Sequence, residues 1–367
     1  MRRWSRRIWI ALAILAATHA YIWWRLVDRA ELPAPWHALA SAAVVVLAPC
    51  LPIAVLGFRG MPRDVKRPYL RVLYTAFALS LYLLLGAAAS HVATAFGANP
   101  RSAALVCAAL AGAVVVYGLV HVARGPVVRR VHVPLARLPA DAAGYTIVQI
   151  TDLHIGALLG RAYAERVVAR VAALSPDLVV LTGDLVDGRV GDLAPHVEPL
   201  RELRARDGVY AVTGNHEYYW NADAWIAHLA TLGIRTLRNE RVALRGAFEL
   251  AGVDDSSARG MAHGHGEDIP RATAGRDPAR PLVLLAHHPH SITGAIAAGV
   301  DLQLSGHTHG GQLLPLGWLS RLFEPRVAGL GRFGDTWLYV SEGTGFWGPP
   351  LRVGTSCEIA VVTLVCG

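Results

Sequence analysis

The stretch L-V-V-L-T-G-D, residues 178–184, decides how the second half of the chain is read. Leu178–Thr182 is a short apolar, β-branched run of the kind that forms a strand in a buried sheet. It stops at Gly183, and Asp184 follows at once. The same pattern recurs on both sides. Tyr145–Thr151 ends on Asp152 and His154, and Val209–Thr213 on Asn215 and His216. Leu282–Ala286 runs into His287 and His288, and Asp301–Leu304 precedes His307 and His309. Thr336–Val340 and Ile359–Leu364 are further apolar runs. Between the first two strands, Val167, Val168, Val171 and Leu174 recur at helical spacing within Ala162–Leu174. A second helix fits Ala222–Leu232, with Asn221 as N-cap and Gly233 as stop. This alternation predicts an α/β domain with buried sheets.

Ligands of open α/β sheets gather at the carboxyl ends of strands, and every polar residue just named sits there. A single histidine in such a place is ordinarily structural. A whole set, each at a strand exit and flanked by Gly or Pro, is not explained by packing. Carboxylate, imidazole and one amide oxygen suit Mn²⁺, Fe or Zn²⁺ better than Ca²⁺, which prefers oxygen alone. The set contains no Cys, which argues against a structural zinc site. Two ions about 3.5–4 Å apart need a bridging carboxylate and can activate a water between them. Asp184 is the natural bridge, because Gly183 lets the backbone turn close to the ions, and Gly214 and Gly306 are expected to offer the same freedom.

The first part of the 367-residue chain is of another kind. Residues 1–130 hold 15 of the 35 Lys and Arg but only Asp28, Glu31 and Asp64 as acids, a balance of +12. The remainder carries 20 basic and 24 acidic residues. Positive charge beside apolar runs points to membrane orientation rather than nucleic acid. Four runs, 8–24, 38–57, 73–96 and 103–123, approach the ~20 residues that cross a bilayer core. The expected division is therefore a transmembrane region at 1–124, a linker at 125–140 and a catalytic domain at 141–367. The first run is long and ends on Trp23 and Trp24, which favours a retained anchor over a cleaved signal. Basic residues crowd the N-terminal tail, the segment Arg59–Arg71 and the stretch after residue 124. The positive-inside rule then puts both termini, and the catalytic domain, on the cytoplasmic side of the inner membrane. His19, His91 and His121 read as helix contacts, since no Asp, Glu or Lys lies mid-span to complete a relay. Cys50, Cys107, Cys357 and Cys366 lack disulfide or metal spacing and read as buried bystanders.

T-D-L-H at 151–154, G-D at 183–184, G-N-H-E at 214–217, H-H-P at 287–289 and G-H-T-H-G-G-Q at 306–312 resemble the calcineurin-like metallophosphoesterases. The extended G-H-T-H-G-G-Q form and the ending S-E-G-T-G-F-W-G-P-P-L-R, 341–352, resemble a bacterial membrane-associated phosphodiesterase subgroup. That subgroup is related to the UDP-diacylglucosamine pyrophosphatases of the lipid A pathway. The resemblance spans roughly 145–365. It implies a four-layer α/β/β/α sandwich, here preceded by an all-α transmembrane region of about four helices. It implies two divalent ions, Mn²⁺ ahead of Fe, Zn²⁺ or Mg²⁺. Asp152, His154 and His309 would hold one ion, Asn215, His287 and His307 the other, with Asp184 between them. His287 rather than His288 matches the family's ligand before x-Pro.

The resemblance also implies phosphodiester or pyrophosphate hydrolysis. A hydroxide held between the ions would attack in line, with His216 as general acid and Asn215 beside it. Glu217 stands where the family often has Asp, at a position that supports the loop. The expected partners are the bilayer and a phosphoester substrate, with a lipid-linked one in view. Trp318, Leu322 and Phe323 read equally as packing or as an apolar lip for such a substrate. Arg352 reads as a phosphate contact or a carboxylate partner, and His263 and His265 as part of a mobile surface loop. A non-catalytic scaffold would lack ligands, and this chain keeps every position. A transporter is disfavoured by the lack of mid-span charge. A nuclease stays within the enzyme class, but the acidic balance of the second half offers no face for tracking phosphates.

Overall fold

The computed structural model describes residues 2–367 except Arg59, Arg245 and Gly246, with side chains from residue 7 onward. Arg59, and the side chains of Arg2, Arg3 and Arg6, used above for orientation, thus lie outside the described residues. The chain divides into two compact units. One comprises residues 1–123 with 348–353, the other 124–347 with 354–367.

The first unit is helical: α1 (Arg2–Leu26), α2 (Ala34–Leu47), α3 (Cys50–Leu56), α4 (Arg63–Ala95) and α5 (Pro100–Ala123). Among the described residues four stretches are long and apolar enough to cross a membrane: Arg7–Ala30, Ala34–Leu56, Arg63–Ala95 and Pro100–Ala123. The second breaks between α2 and α3 because Pro49 and Pro52 remove backbone donors and crowd the preceding turn. His19 and His91 make helix contacts, as expected. His19 Nδ1 donates to Leu15 O at 2.9 Å, its Nε2 lies 3.2 Å from Ser80 Oγ, and His91 Nδ1 lies 3.2 Å from Tyr21 Oη. Arg352 also belongs to this unit, where it is fully buried rather than open to substrate.

Among the described residues the second unit holds twelve strands: β1 (Val127–Leu135), β2 (Thr146–Ile150), β3 (Leu178–Thr182), β4 (Val209–Val212), β5 (Arg235–Thr236), β6 (Glu240–Leu244), β7 (Phe248–Gly252), β8 (Leu282–Leu285), β9 (Leu302–Ser305), β10 (Gly329–Phe333), β11 (Thr336–Val340) and β12 (Glu358–Cys366). They form two six-stranded mixed sheets, ordered β1-β12-β2-β3-β4-β5 and β10-β11-β9-β8-β7-β6. Strands β2 to β5 run parallel in the first, and β7, β8, β9 and β11 in the second. One apolar core joins the inner faces, with Ile147, Leu178, Val180 and Val212 meeting Phe248, Leu250, Val283 and Leu302. Ile269, Ala272, Ile292 and Ala295, from helices Ile269–Thr273 and Ile292–Ala297, share a second core with Leu282, Leu284 and Val340. On the other side, helix α6 (Arg161–Ala172) buries Tyr163, Val167, Val168 and Val171. The family's helix–sheet–sheet–helix layering results. Asn221 caps its helix as expected, its Oδ1 accepting from Ala224 N at 3.2 Å.

The expected linker at 125–140 contains β1, which pairs in parallel with β12 over nine residues. The segment escapes a reading by periodicity because its outer half is exposed and carries Arg129 and Arg130. Arg129 is held there by Glu358, at 2.7 Å. The cysteines are all free, but only Cys50 and Cys357 are buried; Cys107 is half-buried and Cys366 exposed. His265 is not on a loose loop: its side chain is 4% exposed, 3.0 Å from Asp223 and 3.1 Å from Tyr218 Oη.

Phe248 is wholly buried and meets Tyr145 edge-on at 5.1 Å between the sheets. Phe248→Ala is expected to destabilise this unit by about 3–5 kcal/mol, the usual cost of a buried ring. Denaturant unfolding that shifts by less than ~1 kcal/mol would contradict the shared core.

Candidate metal centre

Five parallel strands deliver polar side chains to one end of the two sheets. Strand β2 leads to Asp152 and His154, β3 to Asp184, β4 to Asn215 and His216, β8 to His287 and His288, and β9 to His307 and His309. The chain turns sharply at these exits. Asp152, His154, Asp184, His307 and His309 have φ of 52°, 46°, 53°, 70° and 52°. Left-handed backbone costs a residue with a side chain about 1–3 kcal/mol, and such strain gathers at functional sites.

The glycines serve two different purposes. Gly183, at φ 89°, does provide the turn. A Cβ there would also lie 2.6 Å from Gly214 N and 2.7 Å from His287 Nδ1. Gly214 and Gly306 have no positive φ, so freedom is not their role. They admit close approach: a Cβ on Gly214 would strike the Asp184 carboxylate, and one on Gly306 would strike Thr151 and Asp152.

The side chains converge in groups whose donor atoms lie within 4.8 Å of one another: Asp152, His154 and His309; Asp152, Asp184 and His287; His154, Asp184 and His216; and His287, His288 and His307. Within the first group His154 Nε2 and His309 Nε2 are 3.0 Å apart, and His309 Nε2 is 3.4 Å from Asp152 Oδ1. Asp184 Oδ2 lies 3.2 Å from His287 Nε2, 3.8 Å from His216 Nε2 and 4.0 Å from His154 Nε2. Asp184 therefore stands between the groups.

Supporting hydrogen bonds aim the donors inward. His287 Nδ1 donates to Thr182 O at 2.7 Å, which turns Nε2 toward Asp184. Asn215 Nδ2 donates to Tyr219 Oη at 3.2 Å, leaving Oδ1 buried without a hydrogen-bond partner. An orphaned buried amide oxygen costs about 1–3 kcal/mol, and a cation would satisfy it. Thr151 Oγ1 donates to Asp152 Oδ2 at 2.7 Å. The His307 N–H also faces that carboxylate, at 3.1 Å.

Charge is distributed unevenly. Burial pushes the Asp184 carboxyl up, but His287, His154 and His216 outweigh it and hold the group well below the usual range. At Asp152 burial prevails, with help from Asp184, and the carboxyl is raised. Burial, then His287 and His288, drives His307 down to about 2, so its ring is a neutral donor. Imidazole, carboxylate and amide donors that are buried, aimed inward and partly unsatisfied fit divalent cations.

Two supporting residues were not legible in the sequence as such. Asp187 binds His216 Nδ1 and lies 3.3 Å from His154 Nδ1. Burial raises its carboxyl, but the two histidines outweigh this and hold it at about 2. Its only signal was a second Asp three residues after Asp184 in G-D-L-V-D. Trp347 lies 5.8 Å from His216 between ring centres and is 57% exposed. Its backbone is clamped by Gln312, whose amide donates to Trp347 O at 3.0 Å and accepts from its N–H at 3.1 Å. His288 lies against His307 at 3.7 Å between ring centres, the rings tilted by 41°, and is 3.4 Å from Asp255, so it joins the cluster from the side.

Such a fold and such a cluster define a metallophosphoesterase-type domain. The chain belongs to the calcineurin-like phosphoesterase family, whose signature matches residues 145–311. It is 39% identical over 260 residues to a "transmembrane protein with metallophosphoesterase domain" of Danio rerio, covering 68% of this chain and 60% of that one. A Bos taurus protein of the same name is 41% identical over 263 residues, covering 68% and 59%. A metallophosphoesterase of Aquifex aeolicus is 34% identical over 220 residues, with 59% of this chain and 84% of the relative covered. The match thus spans about three fifths of the length of the two vertebrate relatives.

Glu217 replaces the family's common Asp and keeps its structural task. Its carboxylate accepts from the N–H groups of Asp184, Leu185 and Gly214 at 2.9, 2.7 and 2.7 Å. Burial and Asp184 raise it to about 7 against the pull of those N–H groups. Glu217→Gln would turn an NH₂ toward an N–H. It is expected to cost about 1–3 kcal/mol, read as a lowered midpoint in denaturant unfolding; an unchanged midpoint would refute this support.

Proposed function

We propose that the chain is a membrane-anchored dimetal phosphoesterase that cleaves a phosphodiester or pyrophosphate bond in a lipid-linked substrate. The observation that supports this reading is that the donor atoms of Asp152, His154 and His309 converge, as do those of His287 and His307 with His288, while Asp184 Oδ2 lies 3.2 Å from His287 and 4.0 Å from His154 and Asn215 keeps a buried Oδ1 without a hydrogen-bond partner. Each set would hold one divalent ion, with Asp184 shared and Mn²⁺ the first choice. Such ions, when bound, polarise phosphoryl oxygens and make a nucleophile from water at neutral pH.

The chain's own groups do the rest. Asp187 fixes His216 Nδ1, which leaves Nε2, 3.8 Å from Asp184 Oδ2, to carry the proton for the leaving oxygen. General acid help of this kind contributes ~10²–10⁴-fold. Trp318, Leu322 and Phe323 are 59%, 75% and 75% exposed, so they do not pack internally. Their exposure supports the reading of an apolar lip. The four apolar stretches support an anchor, and the distribution of Arg supports a cytoplasmic catalytic domain. A non-catalytic scaffold would not keep His216 and its Asp187 partner in register with the donor cluster.

Chelation is expected to abolish hydrolysis of bis-p-nitrophenyl phosphate by the purified chain, and Mn²⁺ to restore it; activity indifferent to chelator would refute the dimetal reading. A shortened version should begin before Val127, because a cut at 130 removes part of β1. Asp184→Asn should lower bound metal. His216→Ala should keep metal and lose rate, least for substrates with good leaving groups. An empty site in His216→Ala would assign it to ligation instead.

For the lipid reading, a glycolipid or nucleotide-linked lipid should show a higher kcat/KM than its deacylated analogue. Trp318→Ser with Phe323→Ser should narrow that gap and spare bis-p-nitrophenyl phosphate turnover. Equal cleavage of both substrates by the unaltered chain would reduce the helices to an anchor.

A further inference from the structure

Outside the metal centre, the helical unit contains a cation without an anion. Arg25 stands in the last turn of α1 and is 5% exposed. One of its terminal nitrogens donates to Thr94 Oγ1 at 2.9 Å and faces Ser90 Oγ at 3.4 Å, both on α4. Its Nε is buried with no hydrogen-bond partner. Among the described residues no carboxylate lies within 4.0 Å of it; Asp28 and Glu31, the acids of the following turn, pair with neither Arg25 nor Arg29. A guanidinium keeps its charge at any physiological pH, and burying one unpaired costs several kcal/mol. Two hydroxyls orient it but bring no charge, and the α1 C-terminal dipole returns only about 0.3–1 kcal/mol.

The surroundings indicate which anion is missing. The Trp24 ring lies 5.3 Å from the Arg25 guanidinium carbon and 5.7 Å from that of the exposed Arg29. Trp24 also meets His91 edge-on at 5.8 Å, and His91 faces Tyr21 Oη. Two guanidinium groups flanking one indole, with hydroxyls beside them, match the oxygens of a phosphate. Trp23, Trp24 and Tyr21 at a helix end mark the depth at which headgroups sit.

We propose that Arg25, with Thr94, Ser90 and the outer Arg29, binds the phosphate of a membrane phospholipid where α1 meets the C-terminal turns of α4. This site rests on the reading of the helices as membrane-spanning, and it is separate from the metal centre in sequence and in chemistry.

The test uses the full chain in mild detergent, examined by native mass spectrometry with dioleoyl phosphatidylglycerol, with dioleoylglycerol, or with inorganic phosphate. Phosphatidylglycerol adducts are expected on the unaltered chain, falling about tenfold in Arg25→Gln, the size of one lost charge-assisted contact, and recovering partly in Arg25→Lys. Thr94→Val, which leaves the cation in place, should weaken them less. Should the Arg25 variants misfold, thermal unfolding of the unaltered chain still decides: phosphatidylglycerol should raise its midpoint and dioleoylglycerol should not. Equal effects of the two lipids, or full retention in a folded Arg25→Gln, would overturn the site. Inorganic phosphate binding as tightly as the lipid would overturn the lipid assignment. Release of the chain from membranes by a carbonate wash would instead strike the spanning reading and is scored separately.

Discussion

The centre is organised around one buried carboxylate, Asp184, 2% exposed where the two sheets meet at their carboxyl ends. A buried carboxylate persists only when its surroundings compensate for lost water. His287 comes from the second sheet to within 3.2 Å of it, and the His216 N–H from the first sheet donates to Oδ1 at 2.8 Å. Glu217 ties the Asp184 N–H to that of Gly214, so two strand exits share one anchor. Gly183 and Gly214 must lack side chains for those exits to approach. Moving Asp184 would therefore displace donors from both sheets at once.

That arrangement is held against strain. Five of the seven residues read as ligands occupy left-handed backbone. At about 1–3 kcal/mol each, with Asp and His toward the lower end, the sum approaches the roughly 5–15 kcal/mol net stability of a domain. Only a well-packed platform sustains it. The shared core between the sheets supplies that platform, and Gln149 ties it directly beneath the centre. This fully buried amide donates to Thr182 Oγ1 at 2.7 Å and to Ser305 O at 2.9 Å, bridging the first sheet to the second.

The strands that carry the centre were legible because β3 and β8 are buried on both faces and read as apolar runs, and β2 and β9 as buried runs interrupted by one Gln each. The strands at the margins were not. Strand β7, F-E-L-A-G, contains a buried Glu249 and two small residues, and it is made a strand by its pairing with β6 and β8 and by the Arg241 contact at 2.9 Å. Strand β5 is two residues long. At the centre, residue types and their order were readable from motif spacing, but Asp187 was not. An Asp in a loop is ordinary until folding sets it between His154 and His216.

The two units place different physical demands on charge. Around Asp184, the buried atoms without a hydrogen-bond partner include an oxygen, Asn215 Oδ1, that suits a cation, beside ring nitrogens of His154, His287 and His288. Around Arg25 the demand has the opposite sign, and what remains unsatisfied is a nitrogen that calls for an anion. Neither unsatisfied atom follows from composition, since Asn and Arg are common on any surface. Each emerges only when burial removes the water that would otherwise satisfy the group. The unsatisfied atom, rather than the charged residue itself, is therefore what separates a site from a structural ion pair. By that measure Arg129, held against Glu358 at 2.7 Å, is structural, whereas Arg25 Nε and Asn215 Oδ1 are buried without a hydrogen-bond partner.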